Sequence, residues 1–194
     1  MGYVISAVDG TLARRDRFER VATEIYEPLQ RFAKRRSSAD VADDVVADTL
    51  LVLWRRLHEV AAGDELLWSY GVARRVLANH RRSATRKLRL VDRLISKTPP
   101  QSMEALQDSG GSESEDHSAL HAAIATLADT DREVLTLWAW EGLEPRDMAI
   151  VLDISANAAS IRLHRARENL RKELDRRKDP AAAGQSTVGH TENA

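Results

Sequence analysis

The residues best suited to chemistry lie late in the chain, between Pro145 and Arg177. Met148, Ala149, Leu152, Ile154, Ala159 and Leu163 are spaced to pack a short helix against a longer one, across a tight turn at Asp153-Ile154-Ser155. Ser155 suits the N-cap of the longer helix, because its hydroxyl can accept an amide proton that the first turn leaves unpaired. With those positions turned inward, Ser160, Ile161, His164 and Arg165 project from the other side of the second helix. Their chemistry is that of reading base-pair edges. An α-helix fits the major groove, Arg165 can bond guanine O6 and N7, and Ile161 can touch a thymine methyl. Arg162, Arg167 and Arg171 suit phosphates, contacts that position without specifying. Taken alone, the same segment also reads as an ordinary surface hairpin of helices with a charged face.

Other chemistries find less support. His58-Glu59 begins like the zinc-protease pattern H-E-x-x-H, but Ala62 occupies the second histidine position. His117 and His121 are four apart and could share a helix face as metal ligands, yet no third ligand is evident. The chain has neither a glycine-rich phosphate loop nor a G-x-S-x-G nucleophile motif. Cysteine is absent, which excludes disulfides and thiolate metal sites and fits a reducing cytoplasm. The expectation is therefore no catalytic residue, no metal and no cofactor. No apolar run approaches the ~20 residues of a membrane helix, and Met1 to Arg15 is a poor signal peptide.

The elements that must position the outward-facing residues are helices. Aliphatic and alanine residues are plentiful and aromatics are few among the 194 residues. Phe18, Ala22, Ile25, Leu29 and Phe32 follow one face of a first helix, which Pro28 should kink. A second helix runs from about Asp40 to Leu57, with Val46, Leu50, Leu53, Trp54 and Leu57 as its apolar stripe. Residues 58–66 read as a loop, and a third helix runs from about Leu66 to Leu94, with Trp68, Val72, Val76 and Leu77 toward the core. Residues 96–117 are rich in Ser, Pro, Gly and acid and read as a flexible linker. Beyond it, Leu120, Ile124 and Leu127 share a helical face. Thr130 and Glu133 have the spacing of a capping box, ahead of a helix carrying Val134, Leu135, Leu137, Trp138 and Trp140. Pro145 suits a helical first turn.

Net charge is −1, so bulk charge predicts no nucleic-acid partner, but its distribution is uneven. Residues 37–48 hold four acids (Asp40, Asp43, Asp44, Asp48) and no Lys or Arg. Residues 74–93 hold eight Lys or Arg and a single acid, Asp92. Residues 101–117 hold five acids and no Lys or Arg, and residues 162–178 hold eight basic residues against three acids.

Motifs in this order resemble those of the extracytoplasmic-function sigma factors, in the sigma-70 family of RNA polymerase subunits. Residues 126–174 (TLADTDREVLTLWAWEGLEPRDMAIVLDISANAASIRLHRARENLRKEL) resemble sigma domain 4. Residues 18–82 are similar to sigma domain 2, through Asp43-Asp44-Val45-Val46 to Leu53-Trp54-Arg55-Arg56-Leu57 and through Trp68-Ser69-Tyr70-Gly71-Val72-Ala73-Arg74. The resemblance implies an all-α chain of two small domains joined by a flexible acidic linker, the C-terminal one holding a helix-turn-helix. Its parts would be an N-terminal extension (1–15), domain 2 (16–95), the linker (96–117), domain 4 (118–178) and a disordered tail (179–194).

The resemblance also implies roles. Asp44, Asp48 and Trp54 would dock on core RNA polymerase, although Ala47 stands where the family often has Gln. The loop at 59–66, with Gly63 and Asp64, would capture a flipped base of the melted −10 element. Arg74, Arg75, Asn79, Arg81 and Arg82 would hold the single strand and the upstream duplex. Ser160, Ile161, His164 and Arg165 would read the −35 duplex. Asp153 stands where the family usually has Gly, at a left-handed turn position that Asp tolerates better than most. The linker would thread the polymerase's RNA channel. An anti-sigma protein is a further implied partner; Trp138 or Trp140 could serve it, although at least one of them is expected in the core. The implied setting is cytoplasmic, without membrane insertion.

Three rival readings remain at this point. A stand-alone helix-turn-helix regulator explains residues 145–177 but neither the acidic helix nor the basic segment. An enzyme lacks a site. A helical adaptor leaves His164 and Arg165 without a role.

Overall fold

The computed structural model describes residues 2–95 and 115–178, and among these every regular element is a helix. The elements are α1 (Gly2–Lys34), α2 (Ala39–Arg56), a 3-10 turn (Leu57–Glu59), α3 (Glu65–Ile95), α4 (Glu115–Thr126), α5 (Asp129–Ala139), α6 (Pro145–Leu152) and α7 (Ala156–Lys178). Residues 96–114 of the linker expected over 96–117 and the expected tail from Asp179 lie outside the described residues, and residues 115–117 of that linker already belong to α4. The chain divides into two compact units, the first holding α1, α2 and α3, the second holding α4, α5, the start of α6 and α7.

In the first unit the three helices pack on one another. Val21, Ile25, Leu53, Leu57 and Val60 form a buried cluster, with Phe18, Leu50, Leu66 and Trp68 against its edge. Phe32 of α1 stacks on Tyr70 of α3, with ring centroids 4.6 Å apart. Thr49 is fully buried and donates to the Val45 carbonyl at 2.6 Å, so its hydroxyl is satisfied within its own helix. α1 ends where side chains take up its last carbonyls: Arg36 donates to Phe32 O at 3.0 Å and Ser37 Oγ to Ala33 O at 2.9 Å.

α1 runs through Pro28 as one continuous helix, and the neighbouring Ile25, Leu29 and Phe32 are all buried. One expectation about α1 changes: it begins at Gly2, so the boundary expected after residue 15 falls inside one helix. Arg14 lies 4.8 Å over the Trp54 ring and donates to the Trp54 carbonyl.

In the second unit α7 packs on α4 and α5. Leu127, Leu135 and Ala166 are buried together with Leu170 beside them. Asn169 Nδ2 donates to Asp131 Oδ2 at 2.7 Å and Arg177 to the Ala122 carbonyl at 2.8 Å, tying α7 to its neighbours.

The capping box does not form. α5 starts at Asp129 with Ala128 as N-cap, so Thr130 is already inside the helix. The amides of Asp131 and Arg132 both donate to Ala128 O at 3.0 Å. The side chain that matters at this corner is Arg132, whose guanidinium donates to the carbonyls of Ile124 (3.3 Å), Ala125 (3.0 Å) and Leu127 (2.9 Å) and so closes the end of α4. Trp138 and Trp140 are both exposed, at 41% and 45%, where at least one was expected in the core. α5 ends at Ala139, which leaves Trp140 at the C-cap, and Trp138 finds its partner in Arg167 instead of the interior.

Candidate nucleic-acid interface

The turn before α7 takes the form that its sequence requires. Pro145 is the first residue of α6, where its missing amide costs nothing. Asp153 has φ 55°, the left-handed conformation that ends α6 sharply. The Ala158 amide then donates to Ser155 Oγ at 3.2 Å, which makes Ser155 the N-cap of α7. Met148, Ala159 and Leu163 are buried, and Ala149 and Ile154 are half-buried. These fixed points set the rotation of α7.

That rotation leaves Ser160, Ile161, Arg162, His164, Arg165, Arg167 and Arg171 all exposed. Ile161, at 44% exposure, stands out of the core as an apolar contact surface. Arg165 has no ion-pair partner among the described residues, so its five donors face solvent. His164 Nε2 lies 3.7 Å from Glu168 Oε1, and Arg171 lies 3.9 Å from Asp175, loose pairs that water competes for.

Arg167 differs from the rest. Its guanidinium lies 3.9 Å over the Trp138 ring, a cation–π contact that fixes both groups. With Ser160, His164 and the segment from Gly142 to Pro145 they line an open pocket of about 410 Å³. Gly142 has φ 66°, which lets the chain turn from α5 into this pocket's rim.

In the first unit, α3 presents Arg75, Asn79 and Arg82 as exposed side chains at helical spacing, continued by Arg86. Arg74 is half-buried and already engaged within the protein. Arg81 is exposed yet donates to the Arg36 carbonyl at 3.2 Å, so it also anchors the α1–α2 connection.

Asp44 and Asp48 are exposed on α2, and Asp48 Oδ2 lies 3.8 Å from His80 Nε2 of α3. Trp54 is turned elsewhere. It is half-buried, in a T-shaped contact with Phe18 with ring centroids 5.1 Å apart, and Arg14 lies over its ring. Leu51, 46% exposed, shares the face of Asp48 instead. The apolar pattern had left Leu51 outside the stripe, which was the available signal for it.

The loop after α2 is held by two residues that the sequence reading did not single out. Arg17 of α1 donates to the carbonyls of Leu57 (3.1 Å) and Val60 (3.0 Å) and to Glu65 Oε1 (2.9 Å). Glu65 Oε2 accepts the Gly63 amide at 2.7 Å. Gly63 has φ 93°, and Asp64 beside it is half-buried. Burial pushes the Glu65 carboxyl up, but the Arg17 hydrogen bond, two backbone amides and the Arg17 charge outweigh it. The group is held below the usual carboxylate range.

Among the described residues no cluster of three or more metal-ligating side chains occurs, and no helix is long and apolar enough to cross a membrane. No curated protein matches the chain in sequence. Residues 117–170, which contain the helix-turn-helix, match the family described as Sigma-70, region 4.

Solved structures share the fold. One is the sigma factor RpoE in complex with the anti-sigma factor NepR from Bartonella quintana, 24% identical, with a TM-score of 0.59, covering 81% of this chain and 96% of that one. A second is CnrH in complex with the cytosolic domain of CnrY, 23% identical, with a TM-score of 0.52, covering 83% and 89%. A third is the PhyRSL–NepR complex from Sphingomonas sp. Fr1, 16% identical, with a TM-score of 0.55, covering 90% and 96%. The segment that holds the turn, the cap and the outward face of α7 is thus similar to region 4 of sigma-70, and the chain shares its fold with these solved structures.

Proposed function

We propose that this chain is a sigma factor of the extracytoplasmic-function type, which binds core RNA polymerase, directs it to promoters and supports promoter melting and initiation, catalysis remaining with the core enzyme. The reading is carried by one observation: within the region 4 match, the left-handed Asp153 turn and the Ser155 cap leave Ser160, Ile161, His164 and Arg165 on the free face of α7. In this reading residues 118–178 act as domain 4 and read the −35 duplex, with Arg162, Arg167 and Arg171 toward phosphates. Arg167 meets its phosphate from the Trp138 stack, as a group held in place beforehand.

Residues 16–95 act as domain 2. Asp44 and Asp48, with Leu51, form the acidic face for polymerase. Arg75, Asn79 and Arg82, with Arg74 and Arg81 behind them, track the −10 strand. The loop with Gly63 and Asp64 takes the unstacked base. Residues 96–117 tether the two readers.

An anti-sigma protein is a second partner. Its support is that RpoE and CnrH, which share this fold, are each seen with another protein, an anti-sigma factor in the case of RpoE. The exposed Trp138 and Trp140 suit such a partner, since large aromatic rings supply much of the binding energy at protein interfaces.

The test is run-off transcription with purified bacterial core polymerase on fragmented genomic DNA from the source organism. Discrete transcripts that appear only with this chain are expected, and their start regions will give both promoter elements. Absence of transcripts together with absence of binding to core would sink the reading and favour a stand-alone regulator that binds its duplex site tightly alone.

A further inference from the structure

We propose that Arg17 is a positioning residue for the loop at 60–64, fixing through Glu65 the backbone shape that gives the loop its choice of base. This rests on reading that loop as the site for the unstacked −10 base.

Three features lead to it. Ala61, Ala62 and Gly63 carry no polar side-chain atom, and within the loop only Asp64 does. A loop so composed selects a base mainly by where its amide and carbonyl groups stand. That requires them to stand still, because a donor or acceptor displaced by an ångström no longer rejects the wrong partner.

The loop has little of its own to hold it. Val60 N to Leu57 O is 3.4 Å and Asp64 N to Ala61 O is 3.2 Å, both at the long end for such bonds. Gly63, at φ 93°, adopts a conformation that glycine reaches easily and also leaves easily.

Arg17 supplies the missing constraint from another helix. Its fork spans the Leu57 and Val60 carbonyls at the loop's entry and Glu65 at its exit. Glu65 passes the hold to the Gly63 amide at the tip. The two side chains are 32% and 14% exposed, so the pair is shielded from the competition that empties a surface ion pair of value. A planar guanidinium keeps this geometry with little loss of freedom per bond.

The test uses holoenzyme assembled from core polymerase and the full chain, on a promoter identified by wild-type run-off. The −10 region is opened beforehand by mismatch, and the non-template base is varied at each position. Wild type is expected to prefer one base strongly at one position. Arg17→Met is expected to reduce that preference about tenfold, the size of one mismatched contact, while the response to −35 substitutions stays as in wild type. Glu65→Gln keeps an acceptor for Gly63 and is expected to lose less.

If Arg17→Met lowers transcription equally for all four bases, the pair is a structural tie and the proposal is wrong. If that variant fails to assemble, Arg17→Lys and Glu65→Gln are read by the same criterion, and unchanged base preference in both overturns it. If wild type gives no transcripts, the sigma reading itself has failed, an outcome distinct from a wild type that transcribes without base preference at the loop.

Discussion

The two candidate readers solve one problem with different materials. The α7 face presents side chains, Ser160, Ile161, His164 and Arg165, on a helix whose rotation is set by the buried Ala159, Leu163 and Ala166. The loop at 60–64 presents backbone, shaped by a glycine at φ 93° and by an arginine more than forty positions away in sequence. On a helix, local periodicity decides which side chain points where. In the loop, long-range contacts decide it. The first surface should therefore fail one side chain at a time, and the second should fail when its scaffold does.

The largest expected effect tests the first half of that contrast. Arg165→Ala removes an exposed side chain with no partner among the described residues, so folding should be unaffected within about 0.5 kcal/mol. Transcription from a −35-dependent promoter should fall by the value of one good base contact, about 1–3 kcal/mol or roughly tenfold to a hundredfold. Run-off rates on wild-type and −35-substituted templates check this. A loss accompanied by a lower melting temperature would mean that Arg165 supports the fold and does not read.

Next come two opposite glycine substitutions. A Cβ at Gly63 would meet nothing within 4 Å, so the cost of Gly63→Ala is purely that of φ 93°, about 1–2 kcal/mol of destabilisation. Asp153→Gly should do the reverse. It relieves a non-glycine residue at φ 55° and is expected to stabilise by about 0.5–1 kcal/mol. Urea denaturation of both variants measures this. Equal signs would break the comparison, since both turns would then be governed by contacts and not by backbone conformation. Ser155→Ala belongs to the same series, with an expected loss of about 1 kcal/mol as the Ala158 amide loses its acceptor.

The same contrast explains what the sequence disclosed. The helix-turn-helix was legible because each of its signals is local: Pro145 opens α6, Asp153 turns the chain, Ser155 caps α7, and spacings of three and four assign the faces. The capping box misled because Thr130 and Glu133 fit the pattern while α5 starts at Asp129, and Arg132 takes the corner by bonding carbonyls that lie before it. Trp138 was unreadable for a related reason. Its partner is Arg167, which reaches it from another helix. Arg17 and Glu65 gave no signal at all, because a pair forty-eight positions apart leaves no spacing to recognise.

The smallest expected effect probes the scaffold of the loop through pH. Because Glu65 is held below the usual carboxylate range in the fold, the unfolded chain binds its proton more readily than the folded one does. Its ionised form therefore adds stability that is fully present above the ordinary Glu pKa of about 4.3 and is lost as pH falls through the lower folded value. Glu65→Gln has no such proton to bind. Wild type should exceed that variant in stability at pH 7, and the difference should shrink as pH falls below about 4. Urea melts of the two proteins across that range follow it directly. A difference independent of pH would assign the hold on Gly63 to hydrogen bonds alone, with the Arg17 charge idle. A difference that grows toward acid would mean that burial governs Glu65 after all, and that the loop is held by something other than this pair.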